Sequence, residues 1–406
     1  MKRSLSLAIL LCALTASLLA QAPIKIGVIG PLTGPSAEGG IAMQMGIQIA
    51  ADEINARGGI QVGKQKRKIS LLFEDAQSKP EIGVSLAEKL ITLNKVDILL
   101  GDSVNSSVTL ALMELSPKYP ILFSTVECVS DEIAKKVMAN PDKFKRFWKP
   151  QFDSSAYGES IANCVKDLAD KGVIPFANKT VAYIIEDTDY GRSNVTASEK
   201  ILASFGAKTV AMEAVPLGYT DFYPQLNKLK SIKPDVMVTC FTSLASGVAI
   251  CKQIVETGVK IVNVGIAYPT KPGFLDQAGK YADKLIWAPL LVDFDNNAKH
   301  KEFAAKLKAK YPKAIPAYDQ VHAYDVIYAL AQTIEKAGTL EGNKLADAYS
   351  QLDYSGFIGR YVFNKEKHSI ITGGNYYPIY LAQVQNGKSF IVWPLNKKNV
   401  DAVPQF

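Results

Sequence analysis

The chain has 406 residues, of which 48% are hydrophobic and 21% charged, and carries a formal net charge of +7. That length allows about two domains of roughly 150 residues, each with a full core. The basic excess is spread along the chain as lysine rather than gathered in an arginine-rich block, which argues against a nucleic-acid partner.

Residues 1–20 read as a cleaved secretory signal: Lys2 and Arg3 form the positive end, 5–19 the apolar stretch, and Ala20 is the small residue before the cut. The stretch falls short of the about 20 residues of a comfortable membrane span, and Cys12 lacks the small residues that precede a lipidated cysteine. No later segment is long and apolar enough to cross a bilayer. The mature chain, at net +5 once Lys2 and Arg3 have left, is expected to be soluble and exported. Export permits disulfides, but Cys128, Cys164, Cys240 and Cys251 form no CxxC pair. They read as small buried hydrophobes, with a bridge left open.

The first strand is expected over 24–29, followed by a glycine-proline turn. A helix over 41–56 carries Met43, Ile47, Ala50 and Ile54 at helical spacing and stops at Gly58-Gly59. A strand over 69–74, a helix through Val84, Ala87 and Ile91, a strand over 97–100, a helix over 106–115 and a strand over 121–124 continue the alternation. After an aperiodic aromatic and basic stretch, 144–150, a second series begins. Helices over 158–169, 194–205, 222–231 and 246–257 alternate with strands over 180–185, 209–215, 236–241 and 261–265. Two βα series predict an α/β chain of two lobes, each a mainly parallel sheet with helices on both faces.

A strand over 285–291 leads to helices over 300–310, 321–336 and 344–352. The tail alternates over 360–363, 376–383 and 390–393 and reads as an antiparallel extension. The expected lobes are 21–150 with 290–352, and 151–289 with 353–406. The chain then crosses between them about three times, first near 145–155, so that several parallel segments build the hinge.

Catalytic and metal motifs are weak. Gly58 to Lys64 nearly matches a phosphate-binding loop, but Gln65 stands where Ser or Thr must hold a metal, and the run joins a helix to a strand rather than the reverse. The neighbouring cluster Lys64, Lys66, Arg67 and Lys68 reads as a solvated loop. His300, His322 and His368 lack a second metal ligand at convincing helical spacing, and His322 with Asp325 reads as part of a packed helix. No G-x-S-x-G elbow occurs. Neither a cofactor nor enzyme activity is expected.

What remains is a set of polar loops at the carboxyl ends of strands, where open α/β sheets bind ligands. After 97–100 comes a loop with Asn105 and Ser106, which can cap a helix and offer its free amides to a carboxylate. After 121–124 comes Ser124-Thr125-Val126-Glu127-Cys128. The second series offers Asp187, Asp189 and Tyr190, then Phe241 and Thr242, then Tyr268.

As an ordered set these pieces resemble the solute-binding proteins of ABC importers, in the branched-chain amino acid and amide-binding family. The matching residues are 26–35, the helix end Asp52 to Ile60, Asp75, Gly101 to Ser107, Asp189-Tyr190-Gly191, Asp221-Phe222 and Lys233-Pro234-Asp235. The resemblance implies a type I periplasmic binding protein fold: a periplasmic receptor, needing only a monomer, that closes on one small molecule and docks on an inner-membrane ABC permease. It also implies a carboxylate held by Asn105, Ser106 and the stretch Ser124, Thr125, Glu127 and Cys128, with Tyr190 packed over the ligand. The chain departs at Gly265-Ile266-Ala267-Tyr268, where amino acid receptors present an acid to the ligand ammonium. An unpaired buried ammonium is costly. Either Glu127 or Asp187 replaces that acid, or the ligand is an aromatic acid, amide or urea without an ammonium, in which case Tyr190, Phe241 and Tyr268 suit a flat molecule. A sensing module for a membrane regulator is the alternative to transport.

Overall fold

A computed structural model describes residues 22–406 apart from Ser103 and Leu290; the expected signal, 1–20, lies outside the described residues. The first series runs β1 (Ile24–Gly30), α1 (Ala37–Ala56), β2 (Ile60–Val62), β3 (Gln65–Arg67), β4 (Ile69–Asp75), α2 (Pro80–Thr92), β5 (Ile98–Leu100), α3 (Ser106–Leu112), β6 (Leu122–Ser124), α4 (Asp131–Ala139) and β7 (Phe147–Trp148). Its sheet has the order β4-β1-β5-β6-β7, and every pairing is parallel. The central strands β5 and β6 are buried along their whole length, as strands covered on both faces must be.

The second series runs α5 (Ser154–Asp170), β8 (Thr180–Glu186), α6 (Asp189–Ser204), β9 (Lys208–Val215), α7 (Tyr223–Ile232), β10 (Val236–Phe241), α8 (Leu244–Thr257), β11 (Val262–Ala267), α9 (Phe274–Ala278) and β12 (Ile286–Ala288). The remaining elements are α10 (Ala298–Lys310), α11 (Tyr318–Ala337), α12 (Gly342–Tyr349), β13 (Asp353–Ser355), β14 (Arg360–Asn364), β15 (Ser369–Ile370), β16 (Leu381–Gln385) and β17 (Lys388–Trp393). The second sheet has the order β17-β16-β12-β11-β10-β8-β9. It is parallel from β9 to β12, and β16 and β17 add the antiparallel extension.

The expected boundary at Leu352 does not match the packing. Strands β13 to β15 form a small sheet of their own and lie against α11: Asp325 accepts the Phe357 and Ile358 amides at 2.9 and 3.1 Å. Only the end of the tail joins the second sheet. The reason is a buried carboxylate on α11 that needs those amides, which alternation along the tail does not reveal.

Gly58 and Gly59 have φ of +95° and +97° and end α1 as expected. The run that follows is no nucleotide loop: β2 and β3 pair as a hairpin with Val62 opposite Gln65. Helix α1 packs closely on α11, and a Cβ at Gly46 would lie 2.1 Å from the Gln320 carbonyl oxygen. Gly46→Ala must push the two helices apart, and a loss of about 3 kcal/mol is expected; an unchanged urea midpoint would disprove that close approach. All four cysteines of the described chain are buried and unbridged.

Candidate ligand cleft

The carboxyl ends of both sheets face one another, and a small buried space lies between them. Val104 and Glu127 come from the first lobe, Tyr157, Tyr190, Thr242, Ala267, Thr270 and Lys271 from the second, and Gln151, Pro289 and Tyr318 from the crossing segments and α11. Its volume is about 30 Å³, room for one or two waters. The lobes are closed on each other, with Ser36 Oγ 3.4 Å from Thr242 Oγ1 across the cleft.

A buried ion cluster spans the gap. Lys271 Nζ lies 2.6 Å from Asp319 Oδ1 and 4.0 Å from Glu127 Oε2. Burial works against the Lys271 charge, but the carboxylates of Asp319 and Glu127 outweigh it and hold the ammonium above its ordinary range. Burial, then the Asp319 charge, pushes the Glu127 carboxyl well above the usual range, with Lys271 opposing. Glu127 Oε1, Asp319 Oδ2 and Tyr190 Oη are buried without a partner, and such orphaned atoms are costly unless something fills them.

Local sequence explains how these groups arrive. Thr188 caps α6 by accepting the Gly191 amide at 3.1 Å, so the helix starts at Asp189, five residues earlier than expected, and presents Tyr190 from its first turn. Ala267 ends β11 with φ +68°, a strained conformation for a residue with a Cβ, and the chain turns there to bring Lys271 to the cleft. His322 holds the backbone just before Glu127: its Nε2 is 2.8 Å from the Val126 carbonyl and its Nδ1 3.1 Å from Tyr361 Oη.

Burial lowers the His322 pKa to about 4. A depressed histidine contributes stability that is present above its ordinary pKa of 6.5 and lost as pH falls towards 4. Roughly 2–3 kcal/mol should disappear over that window. His322→Gln should flatten the slope of the urea midpoint against pH there, and an identical slope would refute the assignment.

Of the residues expected to bind ligand, Glu127, Tyr190 and Thr242 reach the space. The others do not line it. Asp102 Oδ1 accepts the Val104 and Asn105 amides, both at 2.7 Å, so the chain's own carboxylate fills the place offered to a ligand carboxylate. Burial raises that carboxyl to about 6. Asn105 accepts from Ser36 Oγ at 3.2 Å, and Ser106 accepts the Ser130 amide at 3.2 Å. Ser124 donates to the Trp148 carbonyl, while Thr125 and Cys128 both donate to the Asp102 carbonyl. These five knit the first-lobe loops together.

Phe241 and Tyr268 are core residues of the second lobe. The Phe241 ring sits 5.1 Å from Phe222 and 5.8 Å from Tyr268. Tyr268 Oη meets Thr239 Oγ1 at 3.0 Å, and its ring fills a slot left by Gly247 and Gly265, where a Cβ would come within 2.4 Å. Asp187 is no substitute acid for the cleft, since it is exposed and paired with Arg192 at 2.5 Å. Sequence reasoning missed Lys271, Asp319 and Tyr318, and the paired glycines were the one signal that Tyr268 turns inward. No cluster of potential metal ligands occurs among the described residues.

The sequence profile of periplasmic binding proteins matches residues 23–389. The chain belongs to that family. Its members are solute-binding receptors rather than enzymes. A Leu/Ile/Val-binding protein homologue of Brucella suis is 26% identical over 350 residues, 82% of each chain. The Leu/Ile/Val-binding protein BraC3 of Rhizobium johnstonii is 27% identical over 345 residues, 82% of this chain and 85% of that one. Among solved structures, a putative branched-chain amino acid ABC transporter protein from Silicibacter pomeroyi superposes with a TM-score of 0.79 at 23% identity, covering 94% of this chain and 99% of that one. A solute-binding protein from R. palustris in complex with benzoate gives 0.77 at 20% identity, covering 91% and 95%. The last two likenesses establish the two-lobed type I fold.

Proposed function

We propose that the chain is an exported, periplasmic solute receptor of an ABC transporter that captures a small polar ligand, an amino acid or a related carboxylate or amide, and delivers it to a membrane permease. The observation that carries this reading is the ion cluster between the lobes. Glu127 offers an unpaired buried oxygen from one lobe, and Lys271, from the other, spends one hydrogen bond on Asp319. A zwitterion would satisfy both, its ammonium on Glu127 Oε1 and its carboxylate on the free hydrogens of Lys271. The Leu/Ile/Val-binding names of the curated relatives favour the same class.

A second reading, an acid without an ammonium, is favoured by Lys271 itself, a cation already standing beside both acids, and by the benzoate of a structural neighbour. Thermal unfolding against amino acids, aromatic acids, amides, urea and polyols separates the two. A ligand at 100 times its Kd should stabilise by about 2.7 kcal/mol. In Glu127→Gln the shift with amino acids should fall at least tenfold in apparent affinity while acids and amides keep theirs. Equal retention of both would remove Glu127 as the ammonium partner, and no shift with any compound would count against a receptor.

A further inference from the structure

Three chain segments join the lobes, and they are built differently. The first, 149–153, links β7 to α5 and is buried throughout. Lys149 turns its ammonium back on its own segment, 2.6 Å from Asp153 Oδ1 and 2.9 Å from the Phe152 carbonyl oxygen. Stranding one ion of a buried pair is strongly destabilising, so a charge placed there must keep its partner. The bend between the lobes is folded around an ammonium.

Neighbouring groups hold that bend in place. Ser369 Oγ donates to Asp153 Oδ2 at 2.8 Å, the Lys149 amide to the His368 carbonyl at 2.8 Å, and the Ile370 amide to the Gln151 carbonyl at 3.1 Å. Asp153 occupies the N-cap position of α5 yet gives that helix no side-chain hydrogen bond, although a capping aspartate is ordinarily worth about 1 kcal/mol. The first lobe meets those amides instead: the Val129 carbonyl accepts the Ser154 amide at 2.6 Å, and Asp131 Oδ1 accepts the Ser155 amide at 3.0 Å. Among the described residues, neither of the other crossings holds a buried ion pair. In the second, Leu291, Val292 and Asp293 border cavities of about 330 and 450 Å³, and Asp295 to Asn297 are exposed. In the third, Gly373 and Gly374 have φ of +78° and +57°, and a Cβ at either would meet no neighbouring atom within 4 Å. Such open segments can absorb a change of backbone dihedrals without collision.

We propose that Lys149 is a positioning residue of the cleft: its ammonium makes the first crossing a rigid pivot, and the turning of the lobes is taken up by 291–297 and 371–376. Gln151, in the middle of the clasp, lines the cleft and donates to Tyr318 Oη at 2.5 Å. The pivot therefore keeps one wall of the cleft assembled in open and closed forms alike. Because this rests on the two-lobed fold and not on what binds, its test needs no ligand, and its failure leaves the receptor reading standing.

Two measurements on the ligand-free mature protein decide it. In wild type, the Lys149 and Phe152 amides should exchange as slowly as those of β5, while amides at 371–376 exchange at least ~100-fold faster. For the second, nitroxides go on Leu93→Cys in the first lobe and Val255→Cys in the second, residues 76% and 57% exposed, and the four native cysteines are buried away from the label. Lys149→Met should widen the distribution of distances between the labels roughly twofold, as the lobes sample more orientations. Ser369→Ala, which loosens Asp153 without stranding a charge, should widen it too and serves if Lys149→Met does not fold. A role in stability alone would lower the urea midpoint and leave the width unchanged. That result, or rapid exchange at Lys149 and Phe152 in wild type, would overturn the pivot.

Discussion

Lys271→Met is expected to open the cleft. In the closed form the methionine would leave Asp319 and Glu127 facing one another without the ammonium that now lies 2.6 and 4.0 Å away. Removing one partner of a buried pair costs about 3–5 kcal/mol. Lobe separation lets water reach both acids, so the penalty falls on closure rather than on folding. Small-angle scattering should show an expanded molecule, ligand affinity should drop at least ~100-fold, and the urea midpoint should move little. Asp319→Asn added to the variant should restore part of the closure, because the stranded charge is gone. Unchanged scattering and affinity would mean that the ion cluster does not hold the lobes together.

Asp325→Ala should instead destabilise the whole protein. Asp325 is fully buried and accepts the Phe357 amide, the Ile358 amide and Tyr361 Oη at 2.9, 3.1 and 3.1 Å. Alanine leaves the Phe357 and Ile358 amides without an acceptor, each at roughly 1–3 kcal/mol, while Tyr361 Oη keeps His322 Nδ1 at 3.1 Å. A cost of about 4 kcal/mol is expected, with water entering the cavity offsetting the remainder. It should appear in the urea midpoint at constant slope, with ligand affinity retained in the folded fraction. A midpoint within error of wild type would show that β13 to β15 are not anchored through this carboxylate.

The alternation of strands and helices was legible because strands such as β5 are continuous apolar runs and the helices carry 3.6-residue spacing. The loops of the cleft followed from topology, since ligands sit beyond the carboxyl ends of parallel strands. Glu127, Tyr190 and Thr242 were reached that way. Lys271 was not, because a lysine in Thr-Lys-Pro-Gly reads as solvated, and its burial depends on Asp319, 48 residues later on a helix that packs with the other lobe. Tyr268 misled for a related reason. It lies three residues from Lys271, but the positive φ of Ala267 and the slot beside Gly247 and Gly265 send the two side chains to opposite sides of the loop. Asp102 hid the anion position in the same manner, by satisfying the amides that local sequence left free.

Amide hydrogen exchange with and without a saturating ligand tests enclosure between the lobes most directly. Protection should rise together at 124–130 in the first lobe and at 186–191, 242–244 and 267–272 in the second, since closure removes both sets from solvent at once. Protection confined to one lobe, or to a surface away from Glu127, Tyr190 and Lys271, would contradict capture in this cleft.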